Sequence, residues 1–199
     1  MREVLPGGVF GRGSTVEVLG PGSTFLLFAV IAAASGGKAW SAVVGMNDLG
    51  MVAAADVGIA LERFAVVPEP GPQWLRVVAA LADGVDILAV RPPSPVAPAD
   101  RQRLAARVRQ RGTLLLATAP WDGADVTLRV SGQSWYGLGQ GCGRVKARTV
   151  DLTVHGRGAL ARTRDLTLWL PAPTGEPIAA YEPVSKVRPQ DRPVRSTVA

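Results

Sequence analysis

Apolar residues follow two rhythms along this chain, and the change falls near Pro120. Before it, short apolar runs alternate with helix-compatible stretches. Thr15–Leu19 reads as a strand ended by Gly20-Pro21-Gly22. Ser23 or Thr24 is placed to cap a helix running to about Ser35, which Gly36-Gly37 stops. Trp40–Val44 is a second strand, mostly apolar and so buried on both faces. Leu49–Leu61 is Ala-rich and helix-compatible, and Phe64–Val67 is a third strand. Gln73–Ala82 predicts a helix, with Trp74, Val77, Val78 and Leu81 on one face. Asp86–Val90 is a fourth strand, followed by a stiff loop carrying Pro92, Pro93, Pro95 and Pro98. Asp100 is placed to cap a helix to Gln110 that Gly112 ends, and Thr113–Thr118 is a fifth strand. Strands and helices in this alternation predict βαβ units and a mainly parallel sheet flanked by helices.

After Pro120 the period becomes two. Val126–Val130, Thr149–Val154 and Leu166–Leu170 alternate polar and apolar residues, as half-exposed strands do. No helical stretch separates them, so they predict an antiparallel C-terminal edge on the same sheet. From Pro171 onward six prolines fall in 29 residues with few large apolar groups. Residues 1–170 are therefore read as one α/β domain, and 171–199 as an irregular, Pro-rich basic tail. Removing the end of that tail should leave the melting temperature almost unchanged, because little apolar area goes with it.

Composition narrows the chemistry. Of 199 residues, 47% are apolar and 19% charged, enough for a full core without metal or disulfide. A single Cys (Cys142) and a single His (His155) exclude a disulfide framework and a His/Cys metal cluster. The net charge of +6 is uneven: residues 1–143 hold 12 basic against 11 acidic side chains, residues 144–199 hold 10 against 5. A basic C-terminal third suits nucleic acid or an acidic protein surface. Phe25–Ser35 imitates a secretion signal. It is about half the roughly 20 residues a bilayer span needs, and it follows a glycine loop instead of a basic segment. A cytoplasmic location is expected, with Cys142 a free thiol and His155 an ordinary strand-end residue.

Strand, glycine loop and helix near the N-terminus is the layout of a phosphate-binding loop. Such a loop needs a Lys for the β/γ-phosphates and a Ser/Thr hydroxyl for magnesium. Gly20-Pro21-Gly22-Ser23-Thr24 has no Lys, no second glycine at the required spacing, and a proline that removes one N–H donor. Upstream, Gly8 to Ser14 matches the glycine spacing with Ser where Lys belongs, but it precedes the strand. The acid that would hold magnesium belongs at the end of a neighbouring strand. In Asp86–Arg91 that position is Arg91.

Gly13–Pro21 resembles the strand and loop entry of the RecA recombinases, and the elements that follow keep the order of the RecA core. Trp40–Gly45, Asp48-Leu49-Gly50, Ala54-Ala55, Ala80–Asp86, Arg107–Gly112 and Leu168–Pro171 are similar to ImuA-type (SulA/ImuA-like) proteins of actinobacteria. The resemblance spans about residues 5–171. It implies a RecA-like fold and a damage-induced mutasome, in which an ImuA-type protein acts with an ImuB-like adaptor and an error-prone polymerase. The departures imply a pseudo-ATPase with no cofactor. The phosphate-binding Lys is absent, the catalytic Glu falls near Asn47, and the two long DNA loops shrink to a Pro-rich link and Ala119–Ala124. The family's N-terminal arm is expected to be missing.

Arg103, Arg107 and Arg111 lie at i, i+4 and i+8, one stripe of a helix that is either solvated or in contact with phosphate or an acidic partner. Arg157, Arg162 and Arg164 form a second basic group. Trp135 and Tyr136, in the Gly-rich segment 131–143, either stack on bases or cover the sheet edge. Lys186, Arg188, Arg192 and Arg195 put charge on the tail, the expected docking element for the adaptor. Non-specific DNA contact and homo-oligomerisation stay open, and no membrane association is expected. Two other readings remain: a weak ATPase using Ser23 and Thr24, and a SulA-like inhibitor of cell division.

Overall fold

The computed structural model describes residues 10–138, 143–171, 179–180 and 194–196. Its elements are β1 (Thr15–Leu19), α1 (Ser23–Ser35), β2 (Ser41–Val44), α2 (Met51–Asp56), β3 (Phe64–Val67), α3 (Trp74–Leu81), β4 (Ile87–Val90), α4 (Pro98–Arg111) and β5 (Leu114–Ala117). Then come β6 (Val126–Leu138), β7 (Gly143–Gly156), β8 (Arg164–Trp169), β9 (Ala179–Ala180) and β10 (Val194–Ser196). All the strands form one sheet in the order β3-β2-β4-β5-β1-β6-β7-β8-β9, with β10 also on β6. The six strands from β3 to β6 are parallel, and β7 to β10 join antiparallel. The expected α/β architecture, mainly parallel with an antiparallel C-terminal edge, is the one observed.

Period-two burial builds two cores, one on each face. Val43, Ile87, Ala89, Leu114 and Leu116 turn to α1 and α2, while Ala42, Val44, Leu88, Val90, Leu115 and Ala117 turn to α3 and α4. In the antiparallel part only the α1 face is apolar, with Leu128, Val130, Val150, Leu152, Val154 and Leu168. Its other face carries polar pairs across the strands: Thr153 donates to Asp165 and Thr167 to Asp151, both at 2.8 Å. The signal-like stretch is α1 itself, buried from Leu26 to Ile31 against the sheet. At 13 residues it is about 20 Å long, and no helix among the described residues is long and apolar enough to cross a membrane.

Several boundaries differ from the sequence reading. Gly22, not Ser23 or Thr24, is the N-cap of α1, and no side chain caps that helix. Ala97 caps α4, with Pro98 in the first turn and Asp100 inside it, because proline is pre-organised for that place. The Ala-rich stretch yields only a six-residue α2 and then a 3₁₀ turn at Leu61–Arg63. The Gly-rich segment is no loop at its start: β6 continues through it to Leu138, with irregular pairing to β7 between Val130 and Gly132. Beyond Pro171, β9 pairs with β8 and β10 with β6, so this stretch is not irregular throughout. Strand addition needs only open backbone groups on an edge, which apolar content does not report.

Candidate functional site

The phosphate-loop position is where β1 hands over to α1. Gly20 lies so close to β6 that a Cβ on it would stand 2.1 Å from the Val130 carbonyl oxygen. The Ser23 N–H returns to the Gly20 carbonyl at 3.3 Å. Gly22 follows in the left-handed region, where a Cβ would meet the Gln133 Oε1 at 2.8 Å and the Arg148 Nη1 at 3.2 Å. The turn is thus pressed onto side chains of the β6–β7 hairpin.

Arg148 is the unexpected member. It comes from β7 on the core face, and only 5% of its surface is exposed. Its Nε donates to the Leu170 carbonyl at 2.9 Å and its Nη1 to Gln133 Oε1 at 3.2 Å. The guanidinium stands 5.2 Å from the centre of the Phe25 ring and 4.8 Å from that of Trp135. Its Nη2 is buried without a hydrogen-bond partner. Burial pushes the Arg148 pKa down to about 10, which still leaves the group charged at neutral pH. No carboxylate is among these contacts.

At the end of β4, Arg91 donates to Asp48 at 2.9 Å. The place of a magnesium-holding acid is therefore taken by a cation already bound to an acid from the loop before α2. Asn47, near which the resemblance would put a catalytic Glu, is exposed.

The other singled-out residues do not gather here. Arg107 and Arg111 both bind Asp83, at the end of α3, and Arg103 stands 3.5 Å from Asp100. Their stripe is largely an internal ion-pair seam between α3 and α4. The Arg107 hydrogen bond and the charges of Arg107 and Arg111 hold the Asp83 carboxyl below the ordinary carboxylate range. Arg157 stands 3.6 Å from Asp125 and donates to the Gly123 carbonyl at 3.1 Å, beside the first residue of β6 and so at the opposite end of the sheet from the loop. Arg162 and Arg164 are exposed nearby. Trp135 and Tyr136 face opposite ways: Trp135 lies over Arg148, and Tyr136 packs on Trp169 at 4.9 Å between ring centres. They do not form one stacking platform, and they cover no edge either: both lie within β6, which pairs with β7 on one side and β10 on the other, and they pack on its two faces. The Arg195 backbone pairs with Ser134 in β10, while Lys186, Arg188 and Arg192 lie outside the described residues.

Comparison with known proteins fits this picture. The fold is RecA-like: the solved structure titled "Crystal structure of the RadB recombinase" is similar in fold, with a TM-score of 0.62 at 16% identity, covering 91% of this chain and 96% of that one. Residues 3–123 match the model of the MT3502 N-terminal domain, and the chain belongs to that family. It is 35% identical over 153 residues to a Mycobacterium tuberculosis (strain ATCC 25618 / H37Rv) protein named "Uncharacterized protein Rv3395c", over 72% of this chain and 74% of that protein. The family match ends at Gly123, just before β6, the first strand of the long β6–β7 hairpin. Arg148 thus comes from the part beyond the family's N-terminal domain.

Proposed function

We propose that this chain is a non-catalytic RecA-like component of a damage-induced mutasome, working through protein contacts with an ImuB-like adaptor in the cytoplasm. One observation carries the non-catalytic half. A strand–turn–helix with the layout of a phosphate loop runs from β1 into α1. Yet its turn lacks the Lys, and its neighbouring strand ends in Arg91 bound to Asp48. A nucleotide–magnesium complex would meet a cation where it needs an acid. The ImuA-type resemblance of the sequence supports the mutasome half, and the RecA-like fold is compatible with it.

Two measurements test the halves separately. Isothermal titration of ATP with magnesium should give no saturable binding in the millimolar range or tighter; micromolar binding overturns the pseudo-ATPase. Deleting the gene should lower the frequency of damage-induced mutation in its host; an undiminished frequency overturns the mutasome role. Docking through the tail is tested by reversing Lys186, Arg188 and Arg192 to Glu together, which leaves β10 intact. Capture of the purified adaptor should weaken at least about tenfold, or 1.4 kcal/mol. Equal capture removes the tail as docking element. Single-stranded DNA should bind weakly and with a steep salt dependence, through surface arginines alone. Tight binding that survives high salt contradicts this.

A further inference from the structure

Two positive poles converge at Gly22, and among the described residues no anion stands between them. The first is the N-terminus of α1, a 13-residue helix with no side-chain cap and no acidic residue in its first turn. The aligned peptide dipoles and free N–H groups there favour negative charge. The second is Arg148, a cation whose contacts are a carbonyl, an amide oxygen and two aromatic rings, with Nη2 left unpartnered. A buried charge is ordinarily paired, because an unpaired one carries its desolvation cost uncompensated. Gln133 Oε1 is the only side-chain oxygen on the guanidinium among the described residues, and it is neutral. It also lies where the loop turns, against Gly22. Pro21 and Gly22 are exposed, and Ser23 and Thr24 half-buried, so the corner is reached from solvent on the loop side.

We propose that this corner binds a single oxyanion, a phosphate or phosphomonoester, between Arg148 and the first turn of α1, with Gln133 swinging aside as its neutral placeholder. The guanidinium offers Nη1 and Nη2, and the turn offers the N–H groups of Thr24 and Phe25 with the hydroxyls of Ser23 and Thr24. No magnesium takes part. The inference stands apart from the mutasome role, since it needs only the geometry of this corner.

The probe is inorganic phosphate, titrated against chloride at equal ionic strength. Amide resonances of Gly22 to Phe25 should shift in a saturable way, and the melting temperature should rise with phosphate as a ligand-linked effect. Arg148→Met should weaken the binding at least about tenfold, the scale of one charge-assisted contact. Gln133→Glu keeps the arginine and gives it an internal carboxylate. That variant should melt higher than the parent in chloride and lose its phosphate response, which keeps the test decisive if Arg148→Met does not fold. No saturable shift, or the same response in the parent and in Gln133→Glu, overturns the site. ADP without magnesium distinguishes the sources. Binding no tighter than phosphate identifies a free oxyanion. Tighter binding keeps the site, identifies a phosphate ester as ligand, and counts against the pseudo-ATPase.

Discussion

Gly20 and Gly22 stand two apart in one turn, yet a methyl group added at each meets a different kind of neighbour. At Gly20 it would fall on the backbone of Val130, which the β1–β6 pairing holds in place. At Gly22 it would meet only the ends of Gln133 and Arg148, which can rotate away. Gly22→Ala should therefore cost about 1–2 kcal/mol, the strain of a left-handed backbone. Gly20→Ala should cost clearly more, at least about 4 kcal/mol, a value tied to a backbone clash. Equilibrium denaturation of both variants checks the order. Equal losses would mean that the turn shifts as freely at Gly20 as at Gly22. The glycines, the proline and the missing lysine of this turn are legible in the sequence because they concern the local chain alone. Arg148 was not. Alternation in Thr149–Val154 puts Val150, Leu152 and Val154 inside, and Arg148 continues that phase one residue before the alternating stretch begins. A charge in phase with a buried face was the available signal. Gln133 and Trp135 carried no such signal, because the irregular pairing after Val130 moves the inward face from even to odd positions.

Between elements, α3 and α4 are joined above their apolar contact by Asp83, which receives both Arg107 and Arg111. The helical spacing of the arginines is legible, but their common acid is not, since it lies more than twenty residues away in the turn after α3. Asp83 has a folded-state pKa lowered from 3.8. Its contribution is thus present above the unfolded value and is lost as pH falls through the lower, folded one. Asp83→Asn should melt below the parent at pH 7, by a small and salt-sensitive margin because the seam is exposed. The margin should close as pH drops below 3.8. A margin unchanged at pH 2 would mean that Asp83 acts through packing instead of charge. The apolar elements were easier to read. A helix buried on most sides, α1, has the composition of a signal segment because its surroundings are the sheet and its own core, and only flanking residues tell the two apart.

At the scale of the molecule, the long hairpin β6–β7 decides what the sheet can hold. Only the first residues of β6, Val126 to Arg129, pair with β1. Beyond the end of β1 the same edge would stand open, and β10 fills it by pairing with Gln133, Ser134 and Trp135. The C-terminal strand therefore lies on the stretch of β6 that carries Gln133 and Trp135, the residues that contact Arg148. This long-range pairing could not be read from the tail, whose prolines and charges give no strand period. It reverses the expectation that the tail can be removed without effect. Deleting residues 183–199 takes away β10 and leaves the backbone of Gln133–Trp135 to water. Two or so ladder hydrogen bonds at about 1 kcal/mol each amount to about 2 kcal/mol. For a chain of this size that lowers the melting temperature by about 4–8 °C. Amide exchange at Gln133 to Trp135 should accelerate in the truncated chain, while β2 and β4, in the middle of the parallel sheet, keep their protection. An unchanged melting temperature together with unchanged exchange at these residues would show that β10 does not hold the edge of β6. A uniform acceleration across the sheet would show instead that the tail supports the whole fold and not this edge.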